Sequence, residues 1–200
     1  MPGTGGHRST GADGGTRTRI LDAAETLIAT RGFDGTPTAA IASRAGVPKG
    51  LLFYYFPTKE SILTALVTER MPTDAAVDLT GVAVSGAPVD SLVNLDAALD
   101  RPEGRPVREI LWRESSTHPV AHEQLRALRA HLHAITVEVL RASAPLTAPA
   151  RVLDSCANAW VSAMLTATHL DRYRERGERT ASLRAVADVV TAGLGALSQP

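Results

Sequence analysis

The sequence predicts an all-α protein, with a small N-terminal three-helix domain built on a helix-turn-helix and a larger helical domain after it. Apolar residues recur at helical spacing near the start of the chain and again along residues 119–142. Between these stretches, residues 36–59 contain two short helical segments separated by glycine and proline. Strong helical periodicity with short breaks is typical of packed helices, so we expect helices throughout.

The first helix is predicted at residues 16–31, because its apolar residues share one stripe at helical spacing. Gly32 supplies the C-terminal stop, and Phe33 turns back into the core. Residues 1–15 are rich in Gly, Thr and Ser without a stripe, so we predict a disordered arm. The stripe consists of Ile20, Ala23, Ala24, Leu27 and Ile28.

Residues 37–56 have the pattern of a helix-turn-helix. Thr36 is the predicted N-cap of the first short helix, with Pro37 at its first helical position. Gly46 can adopt the left-handed conformation that ends this helix, and Pro48 can open the next one. The apolar residues predicted to fill the wedge between the two helices are Ile41, Val47, Leu52 and Phe56. Two helices crossing at such a turn form the helix-turn-helix of DNA-binding proteins.

The remaining positions of this segment carry groups suited to DNA. Cations, hydroxyls and helix N-termini hold phosphates and contact base edges. Both lysines of the chain lie here, whereas the other nineteen basic residues are arginines. The candidate DNA-contacting residues are Thr36, Thr38, Arg44, Lys49, Gly50, Leu51, Tyr54, Tyr55 and Lys59.

A fourth helix is predicted to begin at a Thr58 cap and to run to Met71. Lys59 in its first turn is unfavourable for the helix dipole, which favours anions there. A phosphate beside that N-terminus would resolve the conflict, so Lys59 is a predicted phosphate contact. This helix joins the N-terminal domain, residues 16–71, to the rest of the chain.

These residues resemble the TetR family of bacterial transcriptional regulators over about residues 16–70. The matching pattern consists of Ile20-Leu21-Asp22-Ala23-Ala24, Arg31-Gly32-Phe33, Ile41-Ala42, Ala45-Gly46-Val47, Lys49-Gly50, Tyr55-Phe56 and Lys59-Glu60. The resemblance implies a homodimer with an N-terminal DNA-binding domain and a divergent C-terminal domain that binds a small molecule and dimerises. It further implies a repressor acting on a near-palindromic operator.

Within this hypothesis each DNA candidate has a role. Lys49 would contact guanine O6 and N7, and Leu51 a thymine methyl or the sugar edge. Tyr54, Tyr55 and Lys59 would hold phosphates. The backbone near the second helix's start would be held by Thr36 and Thr38, whereas Arg44 would either reach a phosphate or stay solvated.

The C-terminal domain is predicted at residues 72–200 and contains several helical segments. Its predicted helices are at about 89–100, 107–117, 119–142, 149–175 and 180–197. The seam of the long helix consists of Ala121, Leu125, Leu128, Leu132, Ile135 and Val139. The last two helices would form a four-helix dimer interface, as the resemblance implies. The alternative, that they are simply central helices of the monomer, stays open from the sequence.

Composition and charge limit the function. The chain has 21 basic and 21 acidic residues, so it is not a general polyanion binder. Residues 1–70 carry eight Lys or Arg against six Asp or Glu, a weak positive excess. A single cysteine, Cys156, fits a reducing cytoplasm, and no signal-peptide pattern is found. The longest charge-free apolar stretch, residues 155–170, is shorter than the roughly 20 residues that a membrane span needs. We expect a cytoplasmic, soluble protein.

No catalytic or metal-binding pattern is complete, and we expect neither enzyme activity nor a cofactor. His118 and His122 share a helical spacing, but no cysteine or carboxylate completes a typical metal set. A small-molecule pocket is expected in the C-terminal domain, where large or polar side chains interrupt apolar helices. The candidate ligand contacts are Trp112, His118, Asn158, Trp160, Met164 and His169.

Two other functions remain open from the sequence. One is a helical small-molecule binder that has lost DNA binding, for which Ala39, Leu51 and Phe53 are the hints. The other is an enzyme that uses the histidines with a metal. The preferred hypothesis is a ligand-responsive, DNA-binding regulator.

Overall fold

Nine α-helices and no strand occur in the part of the chain that the computed structural model describes, which is residues 10–71, 80–100, 104–144, 148–170 and 176–197. The predicted all-α fold is confirmed. In chain order the helices are α1 (Thr10–Arg31), α2 (Thr38–Ala45), α3 (Lys49–Tyr55), α4 (Lys59–Glu69), α5 (Pro88–Leu99), α6 (Arg105–Glu114), α7 (Pro119–Ser143), α8 (Ala150–Leu170) and α9 (Arg176–Leu197).

The start of α1 differs from the prediction. The helix begins at Thr10 rather than Thr16, so it includes part of the segment predicted as a disordered arm. The glycines of this segment lowered its predicted helix propensity. Within the added turns, the Thr18 hydroxyl donates to the carbonyl of Gly14 at 2.9 Å. Residues 1–9 of the predicted arm lie outside the described residues.

The described helices divide into two compact units. The first unit consists of residues 10–71 and 104–125, and the second of residues 80–100, 126–144, 148–170 and 176–197. The sequence predicts residues 72–200 as one domain, whereas the structure places α6 and the first residues of α7 with the N-terminal helices.

The first unit is held together by apolar side chains from α1, α2, α4 and α6. The stripe predicted on α1 is buried, with every member at 7% exposure or less. Helix α6 packs on α1 and α4, and its side chains Val107, Ile110 and Leu111 are buried. Because these side chains share one helix face, α6 covers α1 with an apolar stripe of its own.

The second unit has a core formed by α5, α7, α8 and α9. Trp160 is fully buried there, and Cys156 packs in the same cluster. The other buried members of this cluster are Leu92, Leu140, Val152, Leu153, Leu183, Ala187, Val190 and Leu194. The seam predicted on α7 is confirmed as a packing face, although its Leu125 is only partly buried.

The outer sides of α8 and α9 remain open within the second unit. On α8, Ser155, Asn158 and Ala159 are exposed. On α9, Val189 and Leu197 are 74% and 63% exposed. The exposed Val189 and Leu197 leave apolar surface of α9 in contact with solvent.

Residues 177–197 of α9 are long and apolar enough, by length and composition alone, to cross a membrane. Only 22% of the apolar window is buried within the chain. Packing helices of soluble proteins satisfy the same criterion, and the polar side chains of Ser182 and Asp188 lie within this helix.

Candidate nucleic-acid interface

The turn between α2 and α3 is built by Gly46, as predicted. Its backbone has φ +66°, the left-handed conformation that glycine adopts without a steric penalty. The amide of Gly46 donates to the carbonyl of Ser43 at 3.2 Å, and that of Val47 to the carbonyl of Ala42 at 3.0 Å. These two bonds form a Schellman motif, which ends α2 and turns the chain sharply into α3.

Helix α3 is fixed by one buried side and presents the other to solvent. Leu52 is 0% exposed, and Val47 and Phe56 at either end of α3 are also buried. A helix of seven residues is not stable alone, so these anchors determine its orientation. The exposed residues of α3 are Lys49, Gly50, Leu51, Phe53 and Tyr54. The predicted helix-turn-helix therefore forms, with its second helix facing outward.

The exposed side of α3 carries one cation beside aromatic rings. The Nζ atom of Lys49 lies 5.7 Å from the centre of the Phe53 ring, one turn further along the helix. Tyr54 is 73% exposed and meets Tyr55 edge to face, with ring centres 5.2 Å apart. Tyr55 is only partly buried. A cation and a phenol on one protruding helix suit contacts to bases and phosphates.

The start of α2 corrects one prediction. The N-cap of α2 is Pro37 and not Thr36. The side chain of Thr36 is fully buried. Its hydroxyl donates instead to the carbonyl of Gly32 at 2.8 Å. Because Gly32 has φ +76°, the chain after α1 folds back and brings that carbonyl within reach. Thr38, at the first position of α2, is partly exposed.

Helix α4 begins with a complete capping box. The Thr58 hydroxyl accepts a hydrogen bond from the Ser61 amide at 3.1 Å, and the Thr58 amide donates to the Ser61 hydroxyl at 3.3 Å. This confirms Thr58 as the predicted cap. The cap fixes the position at which α4 starts, and hence the position of Lys59.

Lys59 is directed toward the turn that follows α1. Its Nζ atom lies 4.3 Å from the centre of the Phe33 ring and 3.5 Å from the carbonyl oxygen of Asp34. Both contacts favour the positive charge, which would otherwise oppose the dipole of α4. The sequence predicts a phosphate as the group that offsets this unfavourable position. In the structure the Phe33 ring and the Asp34 carbonyl contribute part of that compensation.

The end of α4 is tied to α1 by ion pairs. Arg17 binds Glu69 through two hydrogen bonds of 2.6 Å, and its guanidinium also lies 5.1 Å from the centre of the Phe56 ring. The hydrogen bonds from Arg17 lower the pKa of the Glu69 carboxyl below its ordinary value. Arg70 pairs with Asp22 at 2.6 Å and with Glu25 at 2.7 Å.

Between α1 and α4 lies an open surface depression of about 290 Å³. Its lining is mixed: it includes the Arg17–Glu69 pair, the side chains of Tyr55, Thr64 and Thr68, and the apolar Phe56 and Ala65. The two threonine hydroxyls already donate to carbonyls of α4. Arg44, another predicted DNA contact, lies in the last turn of α2 and is exposed.

The predicted ligand contacts are divided between the two units. Trp112 and His118 belong to the first unit, where His118 meets the Phe33 ring edge to face at 4.5 Å. The other four belong to the second unit and differ in burial. Trp160 and Met164 are buried, His169 is partly exposed, and Asn158 is exposed.

Trp160 has one unusual feature among these residues. Its indole Nε1 is buried and has no hydrogen-bond acceptor among the described residues. A buried indole N–H ordinarily finds an acceptor, because leaving it unpaired costs free energy. Cys156 lies in the same cluster, and burial raises the pKa of its thiol.

Sequence reasoning missed Glu114, which lies on the buried side of α6. It is 6% exposed and accepts a hydrogen bond from the backbone amide of Phe33 at 3.0 Å. The signal was present in the sequence, since Glu114 continues the spacing of Val107, Ile110 and Leu111. A carboxylate on an apolar stripe indicates a specific buried partner.

The N-terminal segment is similar in sequence to a known protein family. Residues 20–66 match the family model described as bacterial regulatory proteins, TetR family. The fatty acid metabolism regulator protein of Bacillus subtilis (strain 168) is 42% identical over 53 residues, which are 26% of this chain and 27% of that protein. The repressor KstR of Mycobacterium tuberculosis is 40% identical over 68 residues, 34% of this chain and 31% of that protein. The match thus spans less than a third of either relative.

Solved structures share the fold over most of the chain. A TetR-like transcriptional regulator from Rhodococcus sp. RHA1 has a TM-score of 0.69 at 21% identity, covering 89% of this chain and 96% of that one. A transcriptional regulator from Saccharomonospora viridis, in complex with choline, has a TM-score of 0.67 at 22% identity, covering 88% and 95%. At these identities the likeness concerns the fold.

Proposed function

We propose that the chain is a member of the TetR family of bacterial regulatory proteins and acts as a sequence-specific, DNA-binding transcriptional regulator. The observation that carries this proposal is the outward side of α3, with Lys49 and Tyr54 exposed on a helix whose other side is anchored by Leu52. An α-helix fits the major groove of B-DNA, which is about 12 Å wide. Lys49 would then contact guanine, and Tyr54, Tyr55 and Lys59 would contact phosphates.

Binding to a duplex tests this assignment. A variant with both Lys49→Ala and Tyr54→Ala should bind a mixed-sequence duplex more weakly than the wild type at low salt. Arg141→Ala, which removes an exposed charge at the end of α7, should bind as the wild type does. Equal loss in both variants would mean that overall charge, rather than α3, determines binding.

A dimer is the second part of the proposal. The exposed Val189 and Leu197 on α9 support a second copy covering this side. At Gly193 and Gly195, an added Cβ atom would meet no neighbouring atom within 4 Å, so the chain leaves space there for a partner helix. A two-fold dimer places two α3 helices on two half-sites, which favours a near-palindromic operator.

A small-molecule effector is the third part. The unpaired indole N–H of Trp160 in the core of the second unit supports a ligand that offers a hydrogen-bond acceptor there. The S. viridis neighbour that binds choline supports a small-molecule ligand in this fold, without identifying the one that binds here. Ligand binding would shift the dimer toward a state in which the two α3 helices no longer match the operator, which is how a repressor is released.

The same hypothesis implies a cytoplasmic protein without catalytic activity, cofactor or membrane attachment. Within the described residues, no group of three His, Cys, Asp or Glu side chains is placed to hold a metal ion. His118 contacts the Phe33 ring and the Glu114 carboxylate. The Nε2 atom of His133 lies 3.7 Å from a carboxylate oxygen of Asp154. Metal analysis of the purified protein would detect a histidine-bound metal and contradict this part of the proposal.

A further inference from the structure

Phe33 connects the start of α4 to the corner between α6 and α7. One contact of its ring is with the ammonium group of Lys59, at 4.3 Å, and another is with the His118 ring, at 4.5 Å. The ring is 3% exposed, so its position is determined by its neighbours. All three residues belong to the first unit.

The backbone of Phe33 is also held by a neighbouring side chain. Its amide donates to Oε1 of Glu114 at 3.0 Å, in a buried hydrogen bond. The other carboxylate oxygen, Oε2, lies 3.5 Å from Nε2 of His118, and the amide of His118 donates to the Glu114 carbonyl at 2.8 Å. Arg113, next to Glu114, donates to the carbonyl of Ile28 at 3.3 Å and so holds the end of α1.

These contacts affect a predicted DNA contact. We propose that Phe33, held by Glu114 and His118, is a positioning residue that fixes the ammonium group of Lys59 at the N-terminus of α4. The inference rests on the proposed function, in which Lys59 holds a phosphate. Residues 114 and 118 would thereby influence DNA affinity from outside the helix-turn-helix.

The physical reason is pre-organisation. A free lysine side chain loses rotamer entropy when it binds a phosphate, whereas a lysine already held against a ring loses less. An ammonium group has three protons, so contacts with the ring and with the Asp34 carbonyl still leave it able to donate to a phosphate. The Phe33 ring therefore acts as a support for the cation without occupying its whole donor capacity.

The two lysines of the chain provide a direct spectroscopic test. In protein labelled selectively at lysine, protons next to a charged group above a ring are shifted upfield by the ring current. The Lys59 side-chain signal should lie further upfield than that of Lys49, whose Nζ atom is 5.7 Å from the Phe53 ring centre. Phe33→Leu should return the Lys59 signal to its ordinary position and leave Lys49 unchanged. An unshifted Lys59 signal in the wild type would overturn the positioning.

Variants at Glu114 test the anchor. Glu114→Gln keeps an oxygen that accepts the Phe33 amide, so the Lys59 signal should stay close to that of the wild type. Glu114→Ala removes the acceptor and should move the Lys59 signal toward that of Phe33→Leu. Identical Lys59 signals in the wild type, Glu114→Gln and Glu114→Ala would show that Glu114 does not position the ammonium group of Lys59. That result would overturn the part of Glu114 in the proposal.

DNA affinity supplies the functional result. Phe33→Leu should weaken binding to a mixed-sequence duplex roughly two- to fivefold, because the cost of ordering the Lys59 side chain then falls on the binding step. In a Lys59→Met background the same change should have no further effect. An equal loss in that background, or tighter binding by Phe33→Leu, would overturn the proposal. A wild type that binds no duplex would contradict the proposed function, whereas the lysine signals decide the positioning in either case.

Discussion

Arg17 of α1 and Glu69 of α4 form a two-pronged ion pair in which both nitrogen–oxygen distances are 2.6 Å. The next residue, Arg70, adds ion pairs to Asp22 and Glu25 on α1. Together these contacts fix the C-terminal end of α4 against α1, while the capping box fixes its start. Any change in the direction of α4 therefore has to break or rearrange named ion pairs.

Loss of this pair should have a small and pH-dependent effect. Glu69→Gln should lower the free energy of unfolding by at most about 1 kcal/mol at neutral pH, because both side chains are partly solvated. The pKa of Glu69 is lowered in the folded state, so its contribution is present above the ordinary glutamate pKa and lost as the pH falls through the folded value. Urea unfolding at neutral and acidic pH measures this; a difference that persists unchanged in acid would refute the assignment.

Lys49→Ala should relax sequence specificity at one position of the operator. The free-energy penalty for changing the base pair that Lys49 contacts should fall by about 1–3 kcal/mol, because one side chain reaches one base edge. The penalties for changing the other base pairs should stay almost the same. Affinities for single-base variants of the operator measure this pattern. Tyr54→Phe, which removes only a predicted phosphate contact, is the control and should weaken all sequences alike. If Lys49→Ala changed the penalty equally at every operator position, Lys49 would be excluded as a base contact.

Lys59→Met should act on affinity without changing sequence preference. The slope of the logarithm of the binding constant against the logarithm of salt concentration should become shallower by about 0.9 for each phosphate that Lys59 neutralises in the wild type. Methionine retains an unbranched apolar chain beside Phe33, so the fold should be maintained. The salt series with wild type and variant is the measurement, and parallel slopes would mean that Lys59 neutralises no phosphate.

The structure also explains which parts of this region could be predicted. The Gly46 turn and the burial of Leu52 follow from local rules of conformation and spacing, and both are confirmed. The Thr36 hydroxyl had two available sets of partners, the amides of α2 and the carbonyls at the end of α1. The second set is the one bonded, because the positive φ of Gly32 brings those carbonyls close, which the cap pattern alone does not encode.

Contacts between segments that are distant in the chain could not be predicted from the sequence. The position of Lys59 at the Phe33 ring depends on how α4 crosses the end of α1, and spacing within one helix carries no information about that crossing. The anchoring of Phe33 by Glu114 likewise depends on α6 packing with the N-terminal helices instead of with the C-terminal domain. The roles of the predicted DNA and ligand contacts remain predictions.

Glu114→Ala should destabilise the first unit. Removing the carboxylate leaves the buried amide of Phe33 without an acceptor, which should cost about 1–3 kcal/mol of unfolding free energy. Glu114→Gln retains an acceptor oxygen and should cost less. Chemical unfolding of the three proteins compares them directly, and equal loss for Ala and Gln would mean that charge rather than the hydrogen bond is responsible.

Val189→Glu should weaken the proposed dimer. The substitution places a carboxylate on the exposed apolar side of α9, where a partner helix would desolvate it. The dimer dissociation constant should rise by about tenfold or more, equivalent to about 1.4 kcal/mol. Sedimentation equilibrium gives the constant, and Val84→Glu, at a valine that is 42% exposed elsewhere in the second unit, is the matched control. Equal behaviour of the two variants would place the interface elsewhere.

The most direct test of the central claim is in vitro selection of the purified protein against random duplex DNA, at near-physiological salt with non-specific competitor. If two α3 helices of a dimer recognise DNA, the selected sequences should converge on a near-palindrome with half-sites about one helical turn or a multiple of it apart. The Lys49→Ala variant should select a motif that is degenerate at one position in each half. A folded, dimeric wild type that enriches no sequence would contradict the claim and leave a helical small-molecule binder as the remaining function.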